Sequence, residues 1–183
     1  LDLVGWSVAD GAVRVRAGLR GTALVLEATP EIPSWVQFPK RNAYEHMMVQ
    51  FTEGLPALVE TGERTTFDTT LPDYVEQLTD FYERYLAASE EGDRGALESF
   101  GLSTRAAAGF AALEARLPAH LATGQAWMLK GMVTGPFTQG TNLLDQDRRC
   151  AYYDEQLRDV VVKGVALKAA WQMERLGVFG LPL

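Results

Sequence analysis

The sequence is poor in residues that form disulfides and bind metals, with one cysteine and two histidines among 183 residues. One cysteine cannot form an internal disulfide, which favours a reducing compartment such as the cytoplasm. Acidic residues outnumber basic ones by 24 to 17, so the basic surface that nucleic-acid binding needs is not expected. No uncharged apolar run approaches the roughly 20 residues of a membrane helix. These absences favour a globular chain that binds a small molecule rather than nucleic acid or a membrane.

The few candidate metal ligands are also badly spaced. His46, His120 and Cys150 lie 74 and 30 positions apart, without a CxxC, HxxxH or HExxH motif. A structural zinc site needs four ligands and a catalytic one usually three. We therefore predict no metal site within this chain. Arg148 and Arg149 precede Cys150 and could favour its thiolate, although an ordinary thiol is the simpler interpretation.

Apolar periodicity predicts five helices and several short strands. The helices are predicted at residues 19–28, 43–51, 72–88, 103–117 and 153–176. Asn42 is expected to cap the second helix, with Glu45 completing a capping box. Strands are predicted at residues 35–38 and 127–133. Two small hairpins are predicted, one with arms 57–59 and 65–68 and one that turns at Asp10-Gly11.

This alternation of strands and helices is typical of an α/β fold, in which helices wrap a parallel sheet. Only three or four strands of the barrel type are visible, whereas a closed (β/α)8 barrel takes roughly 250 residues. The chain is therefore expected to form a small open sheet or about half of a barrel. The last helix is followed by the apolar segment 177–183, which we interpret as the approach to a further strand outside this sequence.

Two loops are candidate binding sites, because parallel α/β folds bind ligands beyond the carboxyl ends of their strands. The first loop carries Gln37, Lys40 and Arg41, whose two cations could clamp a carboxylate or a phosphate. The second carries Thr134 and Gly135, where a hydroxyl stands beside a glycine that permits close backbone approach. The competing interpretations are a solvated turn with helix-flanking charges and an ordinary glycine-bearing turn.

Four segments together resemble one protein family. They read IPSWVQFPKR at 32–41, YEHMMVQFTEGLP at 44–56, KGMVTGPFT at 130–138 and YDEQLRD at 153–159. In this order they are similar to the N-terminal half of cobalamin-independent methionine synthase-like proteins, which share a barrel superfamily with uroporphyrinogen decarboxylase. The resemblance covers residues 23–183, whereas residues 1–22 are atypical of the family.

The resemblance implies a single incomplete domain over residues 1–183. Its fold would be the first half of a (β/α)8 TIM barrel, with parallel strands, outer helices and a small inserted hairpin. It also implies a methyltransferase whose intact form transfers a methyl group to a small thiol such as homocysteine. Zinc would keep that thiol deprotonated, but the family's zinc ligands lie beyond this chain. We expect no cofactor here and no methyl transfer by the chain as given. Five residues become candidate substrate-binding residues: Gln37, Lys40, Arg41, Thr134 and Gly135.

Two alternatives remain open at this stage. The parent could be a corrinoid-dependent methyltransferase or a uroporphyrinogen decarboxylase-like enzyme of the same superfamily. The chain could instead be a non-catalytic binding or assembly module. An unclosed parallel sheet leaves edge N–H and C=O groups unpaired, so self-association or pairing with a complementing chain is expected.

Overall fold

The computed structural model describes residues 20–61 and 64–183. Within that part of the chain, no helix is both long and apolar enough to cross a membrane. The first helix, α1, spans residues 20–28. The later elements are β1 (Leu58–Thr61), β2 (Arg64–Phe67), α2 (Tyr74–Ser89), α3 (Arg94–Glu98), α4 (Ala108–Leu121), α5 (Pro136–Asn142) and α6 (Glu155–Gly177). Short 3-10 turns lie at Ala43–Glu45 and Ala151–Tyr153.

The prediction of a partial TIM barrel built on parallel strands is wrong. The structure is 50 % helix and 7 % strand. The sheet of the described residues has two strands, β1 and β2, which pair in antiparallel fashion. The predicted strands at 35–38 and 127–133 are not strands, and their neighbourhood holds one isolated parallel bridge between Ser34 and Lys130. The observed fold is helix-rich with a small hairpin.

Hydrogen bonding explains why these two segments form no ladder. The Lys130 N–H donates to the Pro33 carbonyl over 3.0 Å, but proline has no N–H with which to extend the pattern. Two residues further on, the Gln172 side chain takes both backbone groups of Met132. Its Oε1 accepts the Met132 N–H (3.0 Å) and its Nε2 donates to the Met132 carbonyl (2.8 Å). The Gln172 side chain therefore bonds to the backbone N–H and C=O of Met132, which a neighbouring strand would otherwise have paired.

The predictions for three helices and for the hairpin with arms 57–59 and 65–68 are confirmed. β1 and β2 match the predicted hairpin arms, and α1, α2 and α6 match predicted helices within about two residues. Asp154 caps α6, because its carboxylate accepts the N–H groups of Gln156 and Leu157, each at 2.9 Å. The helix predicted at 103–117 begins later, at Ala108. The helices α3 and α5 were not predicted, and the hairpin at Asp10-Gly11 lies outside the described residues.

The helix predicted at 43–51 is wrong. A single 3-10 turn, Ala43–Glu45, is followed by further turns as far as residue 51. Asn42 caps this turn as predicted, since its Oδ1 accepts the Glu45 N–H at 3.1 Å. The Glu45 carboxylate does not complete a capping box. It is fully buried and accepts the N–H of Phe38 at 2.7 Å, so it holds the preceding loop instead of starting a helix.

The long helix α6 lies between two hydrophobic clusters and contributes to both. Its N-terminal part, from Leu157 to Leu167, packs against the hairpin and α2. Its C-terminal part, with Trp171 and Leu176, packs against α4 and the extended segments. The first cluster contains Leu55, Phe67, Phe81, Phe100, Leu157 and Val161, and the second contains Trp35, Phe51, Phe110, Leu113, Leu129, Trp171 and Leu176. Because α6 joins the two clusters, polar side chains on its buried face can reach both extended segments.

Candidate functional site

The two predicted loops are attached to the same stretch of chain, residues 46–52, which we call the platform segment. The Thr134 hydroxyl donates to the Met47 carbonyl over 2.8 Å, and Thr134 is 8 % exposed. From the other loop, the Gln37 Nε2 donates to the Gln50 Oε1. Gln50 is fully buried and its own Nε2 donates to the Ala106 carbonyl. The structure therefore brings Gln37 and Thr134 to positions three residues apart on one segment.

The two cations of the first loop have different environments. Arg41 forms an ion pair with the buried Glu45 carboxylate and donates to the carbonyls of Thr104 (3.0 Å) and Arg105 (3.2 Å). Burial raises the pKa of Glu45, and the Arg41 charge partly offsets this. Lys40 is exposed and forms no ion pair with any residue that the structure describes. Arg41 thus shapes the loop, while Lys40 is accessible to a ligand.

The second loop combines an anchored threonine with an open glycine. Gly135 precedes α5 in an extended conformation, with φ −60° and ψ 148°. A Cβ placed on Gly135 would meet nothing within 4 Å, so its backbone is open to an approaching group. Gly140 differs, because a Cβ there would lie 3.3 Å from the Tyr152 Cβ. The open backbone of this loop is therefore at Gly135.

Sequence reasoning missed the polar residue that connects these loops to the core. Gln172 on α6 is 2 % exposed, and its Oε1 accepts the Trp35 Nε1–H at 3.0 Å as well as the Met132 N–H. One helical turn earlier, Lys168 is fully buried. Two polar side chains four residues apart on the apolar face of a long helix were the available signal, since such a spacing places both on one face.

The candidate metal ligands do not converge in the structure. His46 is exposed, the His120 Nε2 lies 2.8 Å from the Pro30 carbonyl oxygen, and Cys150 is half-buried. No group of three His, Cys, Asp or Glu side chains within residues 20–61 and 64–183 is arranged to hold a metal ion. The zinc expected in an intact parent was assigned to ligands outside this chain, so that expectation stays a prediction.

Comparison with protein-family models, curated proteins and solved structures gives no match to this chain. The resemblance to methionine synthase-like proteins therefore rests on the four sequence segments quoted above. Two of those segments, 32–41 and 130–138, carry the loops that meet on the platform segment.

Proposed function

We propose that this chain supplies the substrate-side part of a methionine synthase-like methyltransferase, which in its intact form transfers a methyl group to a small thiol such as homocysteine. The observation that carries this proposal is the attachment of both family-like loops to one segment, through Thr134 to Met47 and through Gln37 to Gln50. We further propose a cytoplasmic location, on the basis of the single cysteine.

Three of the five candidate residues have separate roles in binding the ligand in this proposal. Lys40 presents an exposed charge that attracts the carboxylate of an amino-acid substrate or a phosphate. Gly135 leaves backbone open to the ligand. Arg41 acts indirectly, because its bonds to Glu45, Thr104 and Arg105 hold the loop that carries Lys40. We assign no step to a metal in this chain, since its described donors do not fit one.

An NMR titration of the isotope-labelled chain with L-homocysteine, and separately with inorganic phosphate, tests the proposal. We expect saturable shifts at the amides of residues 37–41 and 134–135. Lys40→Ala should weaken binding roughly tenfold or more, because a hydrogen bond to a charged group is worth about 1.5–3 kcal/mol. The control is Arg149→Ala, which removes an exposed cation from a different turn and should leave binding unchanged.

The proposal fails if neither ligand binds saturably, or if Lys40→Ala and Arg149→Ala weaken binding equally. A porphyrin polycarboxylate that binds at the same amides in preference to homocysteine would favour the decarboxylase-like alternative.

We also propose association with a second copy of the chain beside the extended segment 131–133. The N–H groups of Gly131 and Val133 have no hydrogen-bond partner among the described residues. Val133, Met173 and Leu183 are 41 %, 60 % and 43 % exposed, and they border a cavity of about 240 Å³. Light scattering across a concentration series should show a dimer that Met173→Glu weakens. A monomer at every concentration would refute this second proposal.

A further inference from the structure

Lys168 on α6 is the fully buried lysine of the described chain, and its ammonium group joins two other segments. Its Nζ donates to the Glu53 carbonyl over 2.6 Å and to the Phe100 carbonyl over 3.1 Å. Both acceptors are neutral backbone groups, so no carboxylate is bonded directly to this buried nitrogen. Lys168 therefore fixes two loops to the central helix.

These two loops are also fixed to each other. The Glu53 carboxylate accepts the Ser103 hydroxyl (2.6 Å) and the Ser103 N–H (3.0 Å). Glu53 directly follows the platform segment, whose Gln50 is bonded to Ala106 on the far side of the same loop. The position of the platform segment thus depends on contacts that Lys168 organises.

The side chains of Lys168 and Gln172 are bonded to different parts of the candidate site. Lys168 holds the chain that continues from the platform segment, and Gln172 holds Met132 and Trp35 on the two segments that lead to the loops. Both side chains extend from the buried face of α6. A change at Lys168 is therefore transmitted to the segment on which both loops rest.

The charged groups that act on Lys168 come from two other elements. Glu53 raises the pKa of Lys168, while Arg84 on α2 lowers it. Arg84 is itself paired with Asp80 at 2.8 Å and lies over the Phe100 ring, with 5.1 Å between the guanidinium carbon and the ring centroid. Burial is the largest effect and lowers the pKa of Lys168 to about 8. The attraction of Glu53 is too weak to balance the loss of water.

We infer that Lys168 is a pH-responsive clamp: it joins the Glu53 and Phe100 loops to α6, and the folded chain is more stable when this buried nitrogen is neutral than when it is charged. A neutral amine has two N–H donors, which match the two carbonyls. The ammonium has a third N–H, and it brings a charge into a site sealed from water. The pH response of Lys168 does not depend on whether an anion binds at Lys40.

The direction of the pH effect follows from the protons bound in each state. In the unfolded chain Lys168 keeps its proton up to about pH 10.5, whereas the folded chain releases it near pH 8. The unfolded state then binds more protons in between, so the folded state gains stability as the pH rises from about 8 to 10.5. Through this residue, the unfolding equilibrium constant should fall about 30-fold between pH 7 and pH 9.5.

Urea unfolding of the wild type, Lys168→Met and Lys163→Met at a series of pH values tests the clamp. Lys163 is the matched control, because it lies on the same helix with its side chain 26 % exposed and paired with Asp159. We expect the wild type and Lys163→Met to share the alkaline gain and Lys168→Met to lack it. A Lys168→Met profile parallel to that of the wild type would overturn the inference.

A direct titration keeps the inference testable if Lys168→Met does not fold. Carbon-13 labelling of lysine side chains in the wild type allows the Cε resonance of Lys168 to be followed with pH. The expected midpoint is near 8, with simultaneous shifts at the amides of Gly54 and Gly101, whose peptide groups contain the Glu53 and Phe100 carbonyls. A midpoint above 10, or a midpoint near 8 without those shifts, would refute the clamp. Neither outcome depends on the homocysteine or phosphate titration.

Discussion

Replacement of Gln172 by methionine tests the contact that joins α6 to the extended segments. The substitution keeps the length of the side chain and removes its amide. Three groups would lose their partner: the Nε1–H of Trp35, the N–H of Met132 and the carbonyl of Met132. Trp35 is 1 % exposed, so water cannot replace the lost bond there.

The expected cost follows from the burial of these groups. A buried polar group that loses its partner costs about 1–3 kcal/mol. Met132 is only half-buried, so its two groups belong near the lower end of that range. The sum is roughly 3–5 kcal/mol of the free energy of unfolding, a large share of the 5–15 kcal/mol typical of a folded protein.

Urea unfolding followed by circular dichroism measures this cost, with Gln146→Met as the control. Gln146 is exposed, and its amide exchanges hydrogen bonds with Thr69 at the surface. Its loss should cost less than about 1 kcal/mol. If Gln172→Met destabilises the protein no more than Gln146→Met does, the amide of Gln172 does not hold Met132 and Trp35.

The remaining predictions concern close packing and helix capping. Gly109→Ala should lower stability by about 3 kcal/mol or more, because its Cβ would lie 1.9 Å from the Val36 carbonyl oxygen. Gly177→Ala, which meets nothing within 4 Å, should be neutral or stabilising by up to about 1 kcal/mol. Equal melting temperatures for these two variants would contradict the close packing of Gly109 against Val36. Asp154→Ala should cost about 1 kcal/mol through the lost cap of α6, whereas Asp73→Ala, at a helix start without a side-chain cap bond, should change the melting temperature little.

The sequence signals that succeeded were local. The periodic apolar residues of α2 and α6 predict helices because a single face of each is buried. The pairing of β1 with β2 is likewise local, since its partners lie no more than nine positions apart. Asn42 was also identified correctly as a cap, and its bond to the Glu45 N–H spans only three residues. Features of this kind depend on contacts within a few positions, which the sequence pattern contains.

The predictions that failed concerned partners far apart in sequence. Apolar runs at 35–38 and 127–133 predict buried strands. The burial of apolar side chains does not determine, however, which groups form hydrogen bonds with the backbone N–H and C=O of these segments. Gln172 lies 40 positions beyond Met132, and no periodicity links the two residues. The helix predicted at 43–51 failed for a different reason: the Glu45 carboxylate was expected to bond within its own turn, but it accepts the N–H of Phe38, seven positions earlier.

The residues of the candidate site could be selected from the sequence, but the distant residues that they contact could not. Gln37 and Thr134 were selected from separate loops, and the structure attaches both to the platform segment. Arg41 and Lys40 have the same charge in the sequence, but only the structure reveals that Arg41 is bonded to Glu45 and to two carbonyls. Lys168 was missed because a lysine in a helical pattern is usually solvent-exposed.

The attachment of both loops to the platform segment can be measured directly in solution by NMR. The hydrogen bond from Thr134 to the Met47 carbonyl predicts a nuclear Overhauser effect between the side-chain protons of Thr134 and the Hα of Met48, which lies on the carbonyl side of that trans peptide group. It should disappear in Thr134→Ala without loss of the effects between the rings of Trp35 and Phe110, which lie 6.0 Å apart. A well-folded wild-type protein in which the protons of Thr134 have no contact with residues 46–50 would contradict the account of a single site.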